Sequence, residues 1–175
     1  GDSRTLGVIT LCLLLYALLR KQWYISLYIV LIYAGSVGTI TLIKHCYYFP
    51  RPSGFLIPNT SSSFPSGHTL LTTSILGFFA FLSASGLPKP WKMIPYVLWS
   101  GSVLLVASSR LVLGAHWFCD IIAGISLGLS LLLILLIAYR RRALPLRRPA
   151  EWSAIIFTAI TVCWGYAAHQ HVLHN

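Results

Sequence analysis

Residues 116–139 read HWFCDIIAGISLGLSLLLILLIAY, and basic Arg140, Arg141 and Arg142 follow. From Trp117 to Tyr139 the run is longer than the about 20 apolar residues a spanning helix needs. It shows no strict alternation, so it reads as a helix and not as a barrel strand. Its single charge is Asp120. A lone carboxylate at that depth is costly unless partnered, which makes it a functional candidate. Gly124 and Gly128 add a G-x-x-x-G spacing that permits close helix packing.

The rest of the chain repeats the apolar theme. It has 175 residues, 57% hydrophobic and 9% charged, with a mean hydropathy of +0.76. A soluble domain carries about 25% charged residues. Five further apolar segments run Leu6–Leu19, Trp23–Ile43, Thr69–Ser83, Met93–Leu113 and Trp152–Ala168. The expectation is an all-α polytopic membrane bundle of about six transmembrane helices in one domain. Aromatics at segment ends (Trp23, Tyr24, Tyr47, Tyr48, Phe49, Trp91, Trp117, Trp152, Trp164) mark an interfacial belt. Ala34, Gly35 and Gly38 offer a second small-residue stripe for packing.

Charge fixes the orientation. Thirteen Lys and Arg face three acids, giving a net charge of +10. That balance does not read as nucleic-acid binding, because the bases sit in loops between apolar spans. Nine of them (Arg20, Lys21, Lys89, Lys92, Arg140, Arg141, Arg142, Arg147, Arg148) fall in alternate loops. By the positive-inside rule those loops are cytoplasmic. Arg4, Lys44, Arg51 and Arg110 fall on the other side. Asp2 is terminal and Glu151 lies in a basic linker, so Asp120 is the one acid of the membrane-associated body. Cys12, Cys46, Cys119 and Cys163 show no metal-ligand spacing and read as small apolar residues. The chain opens at Gly1 and not at Met, and is expected to be a piece of a longer protein.

Three polar islands interrupt this background, all on the extracytoplasmic side. The first is Lys44 with Arg51-Pro52; Pro50 and Pro52 turn the chain so that both cations can converge. Arg offers phosphate a bidentate fork and Lys a point charge. The second is Pro65-Ser66-Gly67-His68 at a helix start, with Pro65 expected in the first turn. Backbone N–H groups and the helix dipole make such a start an anion site. Ser66 can add a hydroxyl, Gly67 close approach, and His68 a proton. The third is Ser109-Arg110 with His116 and Asp120. Four residues apart, the two share one helix face, so Asp120 can accept a hydrogen bond from one imidazole N–H and aim the other nitrogen outward as a nucleophile. Taken singly, each island has a plainer explanation: snorkelling bases, a capping serine, a satisfied buried His–Asp pair.

In this order and spacing the islands resemble the type 2 phosphatidic acid phosphatase family, membrane lipid phosphatases that share their site with vanadium haloperoxidases. The match takes in Lys44, Arg51, Pro52, Pro65, Ser66, Gly67, His68, Ser109, Arg110, His116 and Asp120, within residues 34–127. The resemblance implies that His116 is the nucleophile and forms a phosphohistidine. It implies that His68 protonates the leaving group, that Asp120 orients His116, and that Lys44, Arg51, Ser66, Gly67 and Arg110 hold the phosphoryl oxygens. No metal or cofactor is expected. Such proteins place the first island after their third span; here it follows the second. One N-terminal helix is therefore missing or upstream, the core is residues 23–139, and residues 152–168 are an added helix.

The expected activity is hydrolysis of a lipid phosphomonoester or pyrophosphate, with undecaprenyl pyrophosphate favoured. The expected setting is a bacterial inner membrane with the site facing the periplasm. Phosphatidic acid, phosphatidylglycerophosphate and lipid A phosphates are the other substrates considered. A phosphotransferase using the same site and an inactive membrane scaffold are the competing readings; haloperoxidase activity is disfavoured. The partners are a membrane lipid and the bilayer, with no nucleic acid; nothing in the sequence sets an oligomeric state.

Overall fold

The computed structural model describes residues 3–52, 62–142, 150–156 and 158. Among them there are helices and no strand. We number α1 Ser3–Leu19, α2 Trp23–Cys46, α3 Gly67–Ser85, α4 Ile94–Val112 and α5 Phe118–Arg141. A 3-10 turn, Lys89–Trp91, precedes α4. Four helical segments are long and apolar enough to span a membrane: Trp23–Cys46, Gly67–Ser85, Lys89–Val112 and Phe118–Arg141. Helix α1 is apolar but shorter. Residues 150–156 are helical where the added helix is expected; most of the rest of that segment, and the histidines of the tail, lie outside the described residues.

Two helices stop by the same device. At the end of α4, Gly114 takes φ +61 and its N–H donates to Leu111 O at 2.9 Å. The next N–H, of Ala115, donates to Arg110 O at 3.1 Å. This double closure satisfies carbonyls that the helix end leaves orphaned and turns the chain sharply. At the end of α1, Lys21 takes the left-handed position with φ 54, and the N–H groups of Lys21 and Gln22 close on Leu18 O and Ala17 O.

Helix α3 is the centre of the bundle. Of its apolar window 83% is buried, against 33% for α2, 17% for the α4 segment and 22% for α5. The cause is composition. Helix α3 is rich in Ser, Thr, Ala and Phe, which pack or bond internally, whereas α4 and α5 turn Leu104, Leu105, Leu133 and Ile134 outward. In lipid, outward apolar side chains cost nothing, so close packing and polar contacts draw the helices together. Gly124 and Gly128 supply the close packing. A Cβ on Gly124 would stand 2.8 Å from Ser66 O, and one on Gly128 2.8 Å from Thr73 Cβ. No side chain larger than hydrogen fits there without movement.

The other small-residue stripe does not act this way. Ala34 and Gly38 are exposed on α2, a Cβ on Gly38 would meet nothing within 4 Å, and one on Gly35 would touch Leu131 at an ordinary 3.8 Å. Helix α2 instead buries Ile25, Tyr28, Ile29, Ile32 and Ser36, spaced three or four apart. The larger side chains win because they fill the groove beside α3.

A π-helical turn, Thr72–Leu76, lies in the middle of α3 and was not foreseen. Such turns misalign the backbone ladder and need outside partners. Here Trp99 Nε1 donates to Thr73 O at 3.0 Å, and Ser74 Oγ donates to Leu70 O at 2.9 Å. Ser74 Oγ also shares a 2.7 Å hydrogen bond with Ser36 Oγ of α2. An interhelical bond of this kind contributes about 0.6 kcal/mol.

The end of the bundle away from the islands is closed by a second network. Trp152 is fully buried, edge-on to Tyr16 at 5.1 Å, and donates to Gln22 Oε1 at 3.2 Å. Glu151 accepts from Tyr16 Oη at 2.8 Å and pairs with Arg20 at 3.1 Å. Trp152 is thus a core residue and not a belt residue.

Candidate active site

The three islands converge on one cavity of ≈ 360 Å³. Lys44 and Arg51 of the first, Gly67 and His68 of the second, and Arg110, Ala115 and His116 of the third line it. Val37, Ile40 and Thr41 of α2 and Leu71 of α3 complete the wall. The lining therefore combines cationic and apolar side chains.

Hydrogen bonds stitch the islands pairwise. Lys44 Nζ donates to Ser62 O, and Phe49 N–H donates to Ser62 Oγ at 3.1 Å, tying the first island to the segment before the second. Ser66 N–H donates to Asp120 O at 3.0 Å, tying the second to the third. Arg51 Nη1 donates to Ala115 O at 2.7 Å and Trp117 Nε1 donates to Pro50 O at 2.9 Å, tying the third to the first. Ser62 and the indole of Trp117 are the contributors that sequence reasoning missed. A serine run and an interfacial tryptophan have ordinary explanations, and only the tertiary contacts distinguish them.

His116 lies just before α5, whose N-cap is Trp117. It is not on the helix face as expected. The i, i+4 contact forms all the same, with His116 Nδ1 at 3.3 Å from Asp120 Oδ2. Both residues are buried. The same carboxylate oxygen accepts the Trp117 N–H at 2.9 Å, the reciprocal half of a helix cap. Asp120 thus has three supports for a buried charge: a backbone donor, an imidazole and the positive end of the α5 dipole. Burial pushes the His116 imidazole below its ordinary range; Arg51 adds to that effect, and Asp120 opposes it.

The second island differs in detail from expectation. Helix α3 starts at Gly67 with Ser66 as N-cap, so Pro65 stands before the helix and not in its first turn. The Phe64–Pro65 peptide is cis. Ser66 makes no side-chain cap; its hydroxyl shares a 2.9 Å hydrogen bond with Thr69 Oγ1. It is fully buried and does not line the cavity. Its N–H is bonded to Asp120 O and is not offered to a ligand; Gly67 is the first residue of the second island that lines the cavity. Of the eight residues singled out, six line the cavity, Asp120 backs His116, and Ser66 lies behind the wall. Cys46 and Cys119 are exposed free thiols, and no bridge joins them.

The fold and cavity define a helical integral membrane protein with a cationic, histidine-bearing pocket. Residues 25–144 match the model of the PAP2 superfamily, and the chain belongs to that family. It is 35% identical over 116 residues to phosphatidylglycerophosphatase B of Bacillus subtilis (strain 168), covering 64% of this chain and 56% of that protein. It is 33% identical over 103 residues to undecaprenyl-diphosphatase of Sulfolobus acidocaldarius, covering 58% of this chain and 46% of the relative. The chain thus spans about half the length of these curated relatives. Among solved structures it resembles the crystal structure of a transmembrane PAP2 type phosphatidylglycerolphosphate phosphatase from Bacillus subtilis. The TM-score is 0.66 at 25% identity, over 82% of this chain and 79% of that one.

Proposed function

We propose that this chain is a lipid phosphatase that works through a phosphohistidine on His116. The observation that carries the reading is the mixed lining of the cavity: Lys44, Arg51 and Arg110 together with Val37, Ile40 and Leu71. A phosphate ester with an apolar tail matches both kinds of lining.

The chemistry follows from charge. Phosphoryl transfer needs positioning and neutralisation more than covalent help. The cations offset the phosphoryl charge and stabilise the transition state. With its Nδ1 proton toward Asp120, His116 attacks phosphorus in line through Nε2, and the P–O bond to the lipid breaks. His68 gives the leaving oxygen its proton. Water then attacks phosphorus, His68 takes a proton from that water, the P–N bond breaks and phosphate leaves. No step uses a metal; three fixed cations repel a divalent ion from the same space.

The sequence alone favours undecaprenyl pyrophosphate. The relatives move first place to phosphatidylglycerophosphate, since the 35% identical protein and the solved structure are both named for it. Undecaprenyl pyrophosphate stands second, on the 33% identical relative. The basic loops favour a cup facing away from the cytoplasm, on the periplasmic side of an inner membrane.

The test is phosphate release from a panel of defined lipids in detergent, with alkali-quenched labelling from a radioactive phosphoryl group. The expected result is base-stable, acid-labile label on the wild type and none on His116→Ala. Label retained by His116→Ala, or no release from any lipid phosphate, overturns the reading; label passing to an added lipid alcohol makes the protein a transferase.

A further inference from the structure

Trp117 has been read as an interfacial anchor, and the residue is about half exposed, at 47%. An anchoring indole turns its N–H to headgroups and water. This one turns it inward to Pro50 O, at 2.9 Å. Ser63 Oγ donates to the same carbonyl at 3.3 Å, so both of its lone pairs are engaged. The next residue, Arg51, sends Nη1 back to Ala115 O at 2.7 Å. Two long-range bonds therefore run in opposite directions between residues 50–51 and 115–117. The backbone N–H of Trp117 meanwhile holds Asp120 Oδ2, the oxygen that faces His116.

This clamp matters because Arg51 stands on irregular chain. Helix α2 ends at Cys46 and α3 begins at Gly67, so no helix positions residues 47–52. We propose that Trp117 is a positioning residue: its indole N–H fixes the Pro50–Arg51 corner on the start of α5 and so sets where Arg51 stands relative to His116. The role in catalysis rests on the phosphatase reading; the clamp itself does not. His116 shares its surroundings with Arg51, Lys44, Arg110, His68 and Asp120. Arg51 is the cation with the largest effect on its basicity, so a loosened corner raises the pH at which the ring gains its proton.

The test is Trp117→Phe, which keeps the ring and removes the donor. Inorganic phosphate is titrated into the purified protein by calorimetry. Affinity is expected to fall about three- to tenfold, the worth of one hydrogen bond. In an Arg51→Gln background the same change is expected to do nothing further, because Trp117 acts through Arg51. Unchanged affinity, or an equal loss in both backgrounds, overturns the proposal. Hydrogen exchange supplies a reading independent of phosphate: amides of residues 47–49 and 51 are expected to exchange faster in Trp117→Phe, and unaltered exchange overturns the clamp. If the wild type binds no phosphate, the phosphatase reading falls and exchange alone decides the clamp.

Discussion

The Ser66 N–H donates to the Asp120 carbonyl at 3.0 Å, joining the start of α3, which carries His68, to the start of α5, which His116 precedes. The contact exists because α5 has no side chain at Gly124, where a Cβ would stand 2.8 Å from Ser66 O. The glycine spacing on α5 and the two-histidine site are thus one construction. Closing α3 on α5 brings the second and third islands together.

Gly124→Ala is expected to lose both stability and activity. The obstacle is backbone, which cannot swing aside, and overpacking of this kind costs about 1–3 kcal/mol. Gly38→Ala, with nothing within 4 Å, serves as the control and is expected to be neutral. Thermal inactivation midpoints and phosphate release measured in the same micelles check both.

Acid inactivation is expected to begin below the usual histidine range. In the proposed mechanism the His116 ring must be neutral to attack, and burial with Arg51 lowers its basicity while Asp120 raises it. Arg51→Gln removes a cation that disfavours the protonated ring, so the acid limb of kcat/KM moves to higher pH. Asp120→Asn removes the partner that favours it, so the limb moves to lower pH and the rate falls. Movement of both limbs in the same direction contradicts this electrostatic account.

His68→Gln is expected to slow release from an alkyl lipid phosphate by about 10²- to 10⁴-fold, the usual worth of a positioned acid. With nitrophenyl phosphate, whose leaving group needs no proton, formation of the His116 adduct is expected to be nearly normal. Rapid-quench measurement of the labelled protein separates the two steps. Equal slowing of adduct formation from both substrates denies His68 the acid role.

Chelator is expected to leave phosphate release unchanged, since the cavity presents Lys44, Arg51 and Arg110 to its ligand. A loss of rate restored by adding back a divalent ion assigns a metal to the reaction.

The apolar segments were legible because each is a local property of some 20 residues, and described helices fall where the first five of them predict. The islands were legible as residue types. Less was legible where a neighbour decides. The π turn in α3 depends on Trp99 and Ser36, which lie on other helices. The two glycine stripes look alike in sequence, yet only the one on α5 meets backbone. Ser66 looked like a phosphate donor, and its burial follows from the fit of α5 over it.

By itself the sequence determined an all-helical membrane chain, its polar islands and the chemistry their side chains can perform, because hydropathy and functional groups belong to residues singly. Tertiary structure alone decided that six of those residues share one cavity, that Asp120 supports His116 from behind, and that Trp117 turns its N–H inward. The physical reason is reach: a hydrogen bond is made or lost within a few tenths of an ångström, and distances between remote segments are set by how whole helices pack.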